Sequence, residues 1–227
     1  MNVEQLRDGL IVSVQAGADS LLNTPATIAL LARVAEQNGA AAVRIEGATR
    51  IAAVRRAVAI PIVGIIKRSY DGYEPYITVT EREVSEVLDA GADIVAFDAT
   101  LRPRPGGLSL VALIARIAAG GALAMADCAA AGDASAAAVA GAAIVATTLC
   151  GYTEETRGAA LPALELVRAI RGTGAFTICE GGVASPAAVT AAFAAGADAV
   201  VVGTAITNVD ALVRAFVTAA PGRPKPT

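Results

Sequence analysis

Residues 60–67 read IPIVGIIK, a near-continuous apolar run closed by a lysine. A strand with one wet face alternates apolar and polar residues; an unbroken run of this length marks a parallel strand covered on both faces. Seven further runs of the same kind lie on either side: GLIVSVQ (9–15), AAVRIE (41–46), ADIVAFDA (92–99), ALAMAD (122–127), AIVATT (143–148), FTICEG (176–181) and AVVVGTA (199–205). Each is followed by a segment long enough for a crossover helix. Thr24-Pro25 and Ser185-Pro186 pair an N-cap hydroxyl with a proline at the first helical position, where the missing N–H is harmless. Gly39, Gly91, Gly141 and Gly196 introduce related strand starts, GAAAV, GADIV, GAAIV and GADAV. That series reads equally as an old two-unit repeat or as plain helix-stop chemistry. Eight strand-helix units in 227 residues, about 28 apiece, predict a single-domain α/β fold, a closed (β/α)8 TIM barrel over residues 1–220, with a disordered tail at 221–227.

Composition narrows the chemistry. The chain has no histidine and no tryptophan, and 16 of its 18 basic residues are arginine, leaving Lys67 and Lys225. Serine-histidine and cysteine-histidine nucleophile systems and imidazole zinc sites are therefore excluded, and proton transfer falls to Asp, Glu, Lys, Tyr or Cys. Mean hydropathy is +0.59, yet no apolar run approaches the roughly 20 residues that span a bilayer. No membrane partner is expected. The first ten residues, MNVEQLRDGL, lack an apolar signal core, which predicts a cytoplasmic setting. Cys128, Cys150 and Cys179 have no metal or redox spacing and are expected to be reduced thiols. A net charge of −3 argues against nucleic-acid binding.

In a barrel of this kind the active site is built at the C-terminal ends of the strands. The polar residues there are Gln15, Arg44 with Glu46, Lys67, Asp98 with Thr100, Asp127, Thr147 with Thr148, Glu180, and Gly203 with Thr204, and they are expected to share one pocket. Lys67 stands out. Where arginine is otherwise preferred, a lysine suggests a proton given and taken near neutral pH, helped by burial and a neighbouring cation, Arg68 or Arg44; the alternative is a fixed clamp on phosphate. Glu180 ends its run before Gly181-Gly182 and reads either as a working carboxylate or as an arginine's partner. Asp127 is similarly placed, with Lys67 as a candidate ion-pair partner. Gly181-Gly182 and Gly203-Thr204-Ala205 suit a phosphate held by backbone N–H groups. Residues 68–80, RSYDGYEPYITVT, are too irregular for a helix and read as an ordered lid or substrate loop. Glu46, Asp93 and Asp98 do not make a metal set, and Asp93, near a strand start, is expected to cap or pair at the barrel bottom.

The motifs VRIEG (43–47), PIVGIIKR (61–68), ADIVAFDATLRPRP (92–105), MAD (125–127), TTLCGYT (147–153), EGGVASP (180–186) and VVGTAIT (201–207) together resemble the N-acetylmannosamine-6-phosphate 2-epimerase family, in order along nearly the whole chain. The resemblance implies a cofactor-independent isomerase of amino-sugar and sialic acid breakdown. It would interconvert N-acetylmannosamine 6-phosphate and N-acetylglucosamine 6-phosphate, using no metal. It implies Lys67 as the proton-transferring residue and Glu180 as a second catalytic carboxylate. Gln15, Arg44 and Asp127 would be substrate ligands, with Gly182, Gly203 and the adjoining Thr204 toward the phosphate. Asn208 stands where the family leads one to expect arginine after the AIT triplet, removing one cationic contact; Val14 and Thr204 replace a common cysteine and glycine. Two rival readings are a Schiff-base aldolase using Lys67 as nucleophile and a non-catalytic phosphosugar-binding barrel. The alanine-rich helix AAVTAAFAA (187–195) suits either a homodimer or the barrel wall.

Overall fold

A computed structural model describes residues 1–222; the tail expected to be disordered therefore lies largely outside the described residues, from 223 onward. Eight parallel strands close in sequence order: β1 (Gly9–Val14), β2 (Ala42–Glu46), β3 (Ile62–Ile65), β4 (Ile94–Asp98), β5 (Leu123–Asp127), β6 (Ile144–Ala146), β7 (Phe176–Cys179) and β8 (Ala199–Val202). β8 pairs back onto β1, with Gly9 beside Ala199. Around them run α1 (Pro25–Gln37), α2 (Ala48–Arg55), α3 (Glu81–Asp89), α4 (Leu110–Ala119), α5 (Ala131–Val139), α6 (Leu164–Ile170) and α7 (Pro186–Ala194), and β8 leads into the short α8 (Thr204–Thr207) and α9 (Val209–Ala219). The expected caps form: Thr24 and Ser185 accept from the backbone N–H of Thr27 and Ala188. The four strand-introducing glycines adopt φ of +88, +91, +99 and +102, the left-handed helix-stop conformation.

The strands are shorter than their apolar runs because their last residues leave the ladder to form the mouth. Alternation then sorts side chains. Val43 and Ile45 pack in the layer between strands and helices, while Ala42 faces the barrel axis. Arg44 and Glu46 therefore face inward. The same count applies to β5, where Ala124 and Ala126 face the helices and Met125 the axis, so Asp127 is inward too. On β7, Ile178 lies in the axial cluster and Cys179 in the outer one, which turns Glu180 inward. A layer of Ile11, Val63, Ile65, Ile94, Met125, Ile144, Ile178 and Val201 fills the barrel beneath these polar residues.

Residues 68–80 are not helical. They form a small hairpin on the mouth, with Lys67 bridged to Ile77 and Tyr70 to Tyr73. At the opposite end Asp93 accepts from the Ile62 amide and from Arg55, both at 2.9 Å, the pairing role expected of it. Among the described residues no helix is long and apolar enough to cross a membrane.

Candidate active site

Arg44, Asp127, Glu180 and Thr148 form a fully connected cluster at the mouth. The Arg44 guanidinium donates to both Asp127 oxygens, at 3.0 and 2.6 Å, and to Glu180 Oε2 at 3.0 Å. Thr148 Oγ1 donates to Asp127 Oδ1 at 2.6 Å and lies 3.2 Å from Glu180 Oε2. Thr147, facing outward, fixes the Glu180 backbone from both sides: it accepts from the Glu180 amide at 3.0 Å and donates to the carbonyl at 2.8 Å. Arg44 and Asp127 are almost sealed, at 1% and 0% side-chain exposure. Burial opposes the charge on Arg44, but Asp127 and Glu180 outweigh it and its pKa is raised. One cation facing two buried carboxylates cannot satisfy both. Burial first, resisted by Arg44 and reinforced by the Asp127 charge, pushes Glu180 up to about 7.

Lys67 lies two residues beyond β3 and faces the axis. Its Nζ donates to Gln15 Oε1 at 2.8 Å, and Gln15 Nε2 donates to Ser13 Oγ at 2.9 Å. The lysine is open to the cavity solvent. Even so, crowding within the barrel mouth, followed by the Arg44 charge, lowers its pKa below 10.5, with Glu46, Glu180 and Asp127 pulling the other way. Two expectations need correction here. Asp127 pairs with Arg44 rather than with Lys67, because the two share a deep level of the barrel where a planar guanidinium meets a carboxylate along two bonds. Arg68 is not the neighbouring cation: it turns outward to Glu83 and Glu86.

These groups open onto a cavity of about 1040 Å³, roomy enough for a phosphorylated sugar, whose walls include Gln15, Arg44, Glu46, Lys67, Thr148, Glu180, Gly182, Gly203 and Thr204. Asp127 sits just behind Arg44. Asp98, Thr100 and Thr147 do not line it. Thr100 and Arg102 take up the Asp98 oxygens, while Thr147 faces the helices. On the β7–β8 side the backbone amides of residues 181–184 make no hydrogen bond among the described residues, and neither do those of Thr204 and Ala205 at the start of α8. Successive free N–H groups are donors that an anion could engage. Gly182 is left-handed (φ +69), and a Cβ there would stand 2.4 Å from that of Leu161, so the β6–α6 loop closes directly over it. Asn208 lines the cavity and accepts from the Ala211 amide at 3.0 Å, capping α9.

Tyr76 lines the cavity from the 68–80 segment expected to be a lid or substrate loop, whereas sequence reasoning missed Ser13, Arg50 and Tyr152, which also line it. Strand alternation would have flagged Ser13. Arg50 folds back over Gly47 and donates to the Glu46 carbonyl at 2.6 Å and to its carboxylate. The tyrosines come from loops, where no periodicity signals orientation.

Fold and site together define the class: a (β/α)8 barrel with a buried titratable cluster and unpaired backbone amides around a cavity at one mouth. A family model described as N-acetylmannosamine-6-phosphate epimerase matches residues 28–221. Relatives named as N-acetylmannosamine-6-phosphate 2-epimerases include one from Synechococcus elongatus, 46% identical over 226 residues (98% of this chain, 97% of the relative). Another, from Caldanaerobacter subterraneus subsp. tengcongensis, is 42% identical over 219 residues (95% and 92%). The solved N-acetylmannosamine-6-phosphate 2-epimerase from Clostridium perfringens superposes with a TM-score of 0.92 at 36% identity, covering 96% of this chain and 95% of that one. The chain belongs to the N-acetylmannosamine-6-phosphate 2-epimerase family, and so to the carbohydrate epimerases among the isomerases.

Proposed function

We propose that this enzyme interconverts N-acetylmannosamine 6-phosphate and N-acetylglucosamine 6-phosphate by moving a proton at C2, in amino-sugar breakdown in the cytoplasm. The observation that carries the reading is a lone lysine with a lowered pKa among the buried Arg44–Asp127–Glu180 cluster, in a chain without histidine. The open-chain sugar presents an aldehyde that acidifies the C2 proton. The neutral Lys67 amine removes it; Gln15 takes one N–H, which leaves the lone pair free to face the sugar. Charge develops on the aldehyde oxygen, and an Arg44 N–H not engaged with a carboxylate supports it. Return of a proton to the opposite face of C2 completes epimerisation. Glu180 holds a proton near neutral pH and is the candidate donor. Gly182, Gly203 and Thr204 border the amides that would receive the phosphate, and Asp127 fixes Arg44.

The three cysteines are free and buried, which supports a reducing compartment. A homodimer is also proposed. Its support lies on α9 rather than α7: Val209, Val213 and Phe216 lie on one face and are 46%, 54% and 77% exposed; light scattering that finds only monomer would end that proposal. Incubating either sugar phosphate in deuterated water tests the main reading: deuterium at C2 together with the second epimer is expected. Borohydride trapping of a Lys67–sugar adduct would favour the aldolase instead, and binding without exchange would leave a phosphosugar-binding protein.

A further inference from the structure

The charges around the cavity are unevenly distributed. Among the described residues its basic lining side chains are Arg44, Arg50 and Lys67. Arg44 is sealed between two carboxylates, and Lys67 bonds Gln15. Arg50 is tied to Glu46 on the rim of β2, and β1 with its following loop separates it from β8. The β7–β8 side, residues 181–184 and 203–208, carries no charged side chain at all. Its polar offerings are backbone N–H groups, Thr204, Thr207 and Asn208. Nor can a side chain be added at Gly182 without displacing Leu161.

A cradle of neutral donors treats phosphate and hydroxyl more evenly than one containing arginine. The amides bond either group, and the charge-assisted, bidentate contact that would single out a phosphate is absent. The two arginines of the cavity are also neutralised in pairs, Arg44 by Asp127 and Arg50 by Glu46, so a dianion gains little attraction on entry. We propose that this enzyme epimerises unphosphorylated N-acetylhexosamines as well as their 6-phosphates, and that Asn208 is the residue that sets this breadth. The step is unchanged: one proton leaves C2 and one returns, in a sugar whose C6 ends in hydroxyl rather than phosphate. The inference rests on the epimerase reading above.

The test compares kcat/KM for N-acetylmannosamine and its 6-phosphate with the full chain, followed by NMR in deuterated water, alongside inhibition by inorganic phosphate. Both sugars should exchange at C2 and epimerise, with a preference for the phosphorylated one of no more than about 100-fold, and inorganic phosphate should inhibit weakly. Asn208→Arg should widen the preference at least ~10-fold, mainly through KM for the phosphorylated sugar, and sharpen inhibition by phosphate. Asn208→Asp preserves the α9 cap and adds an anion; it should narrow or reverse the preference, which keeps the test informative if the arginine variant folds poorly. A native preference above ~10,000-fold, or a preference ratio that neither variant moves, overturns the inference. Exchange with the phosphorylated sugar alone would sink this inference and leave the epimerase reading intact, whereas exchange with neither sugar would remove both.

Discussion

The barrel uses an arginine-aspartate pair at each end, and the two behave differently. At the bottom, Arg55 and Asp93 meet at 2.9 Å with 30% and 34% of their side chains exposed. Asp93 also accepts from the Ile62 amide, and Arg55 donates to the Val58 carbonyl at 2.6 Å, so the pair clips the start of β3 to the preceding helix. At the mouth Arg44 and Asp127 are sealed from water, with Glu180 and Thr148 in the same network. Water screens the first pair into a local clip. Without water, the charges of the second pair reach Glu180, Lys67 and Tyr76, whose pKa values all depart from the ordinary ones. The residue types are the same; burial and crowding separate structure from chemistry.

The severest challenge to that contrast is Lys67→Arg. It preserves the positive charge at the mouth but removes a group that can give up its proton, and kcat should fall by roughly 1,000-fold or more while sugar-phosphate binding stays within about tenfold. Steady-state kinetics with a separate binding measurement decide it; retained turnover would mean that the mouth needs only a cation. Next in size, Arg44→Ala leaves two carboxylates buried without a counter-charge and should lose about 3–5 kcal/mol in urea unfolding.

Glu180→Gln sharpens the comparison through pH. The native carboxyl holds its proton up to about 7, whereas the unfolded one loses it near 4.5. Between those values the native state binds more protons, so this group's contribution to stability declines as pH rises through the window. The glutamine variant should lack that decline in a series of denaturation curves. Lys67 has the opposite sign: its lowered native pKa makes stability rise with pH from that value up to about 10.5, and it makes activity rise with pH on the acid side. Glutamine at 180 should also abolish an alkaline fall in kcat near 7; a profile identical to the native one would exclude Glu180 from proton transfer. The smallest effect is expected at the bottom, where Arg55→Ala should cost about 1 kcal/mol or less and leave kcat unchanged. A larger loss would show that the bottom pair is more than a screened clip.

Much of the mouth was legible in the chain. The apolar runs placed the strands, and the polar residue closing each run named Gln15, Arg44, Lys67, Asp127 and Glu180, because parallel strands buried on both faces tolerate such residues mainly where the ladder ends. The pairings were not legible. The sequence offers Lys67 as a partner for Asp127 and Arg68 as a neighbouring cation, because residue order does not report depth in a barrel. Alternation could have gone further: once Ile178 is axial, Glu180 must also face the axis and Thr147 must not, given its neighbours Ala146 and Thr148. Arg50, Tyr76 and Tyr152 come from helix and loop positions with no such rule.

By itself, then, the sequence determined eight buried strands, their helix starts and stops, the absence of histidine chemistry and one lysine at the end of a buried strand. Those are short-range properties, set by apolar periodicity, caps and residue type. Only the closed barrel decided that β2, β5 and β7 share Arg44 between two carboxylates, that Leu161 closes over Gly182, and that the β7–β8 side of the mouth stays uncharged. Charge coupling depends on distance through space and on excluded water, and both exist only after strands far apart in the chain have been brought around one axis.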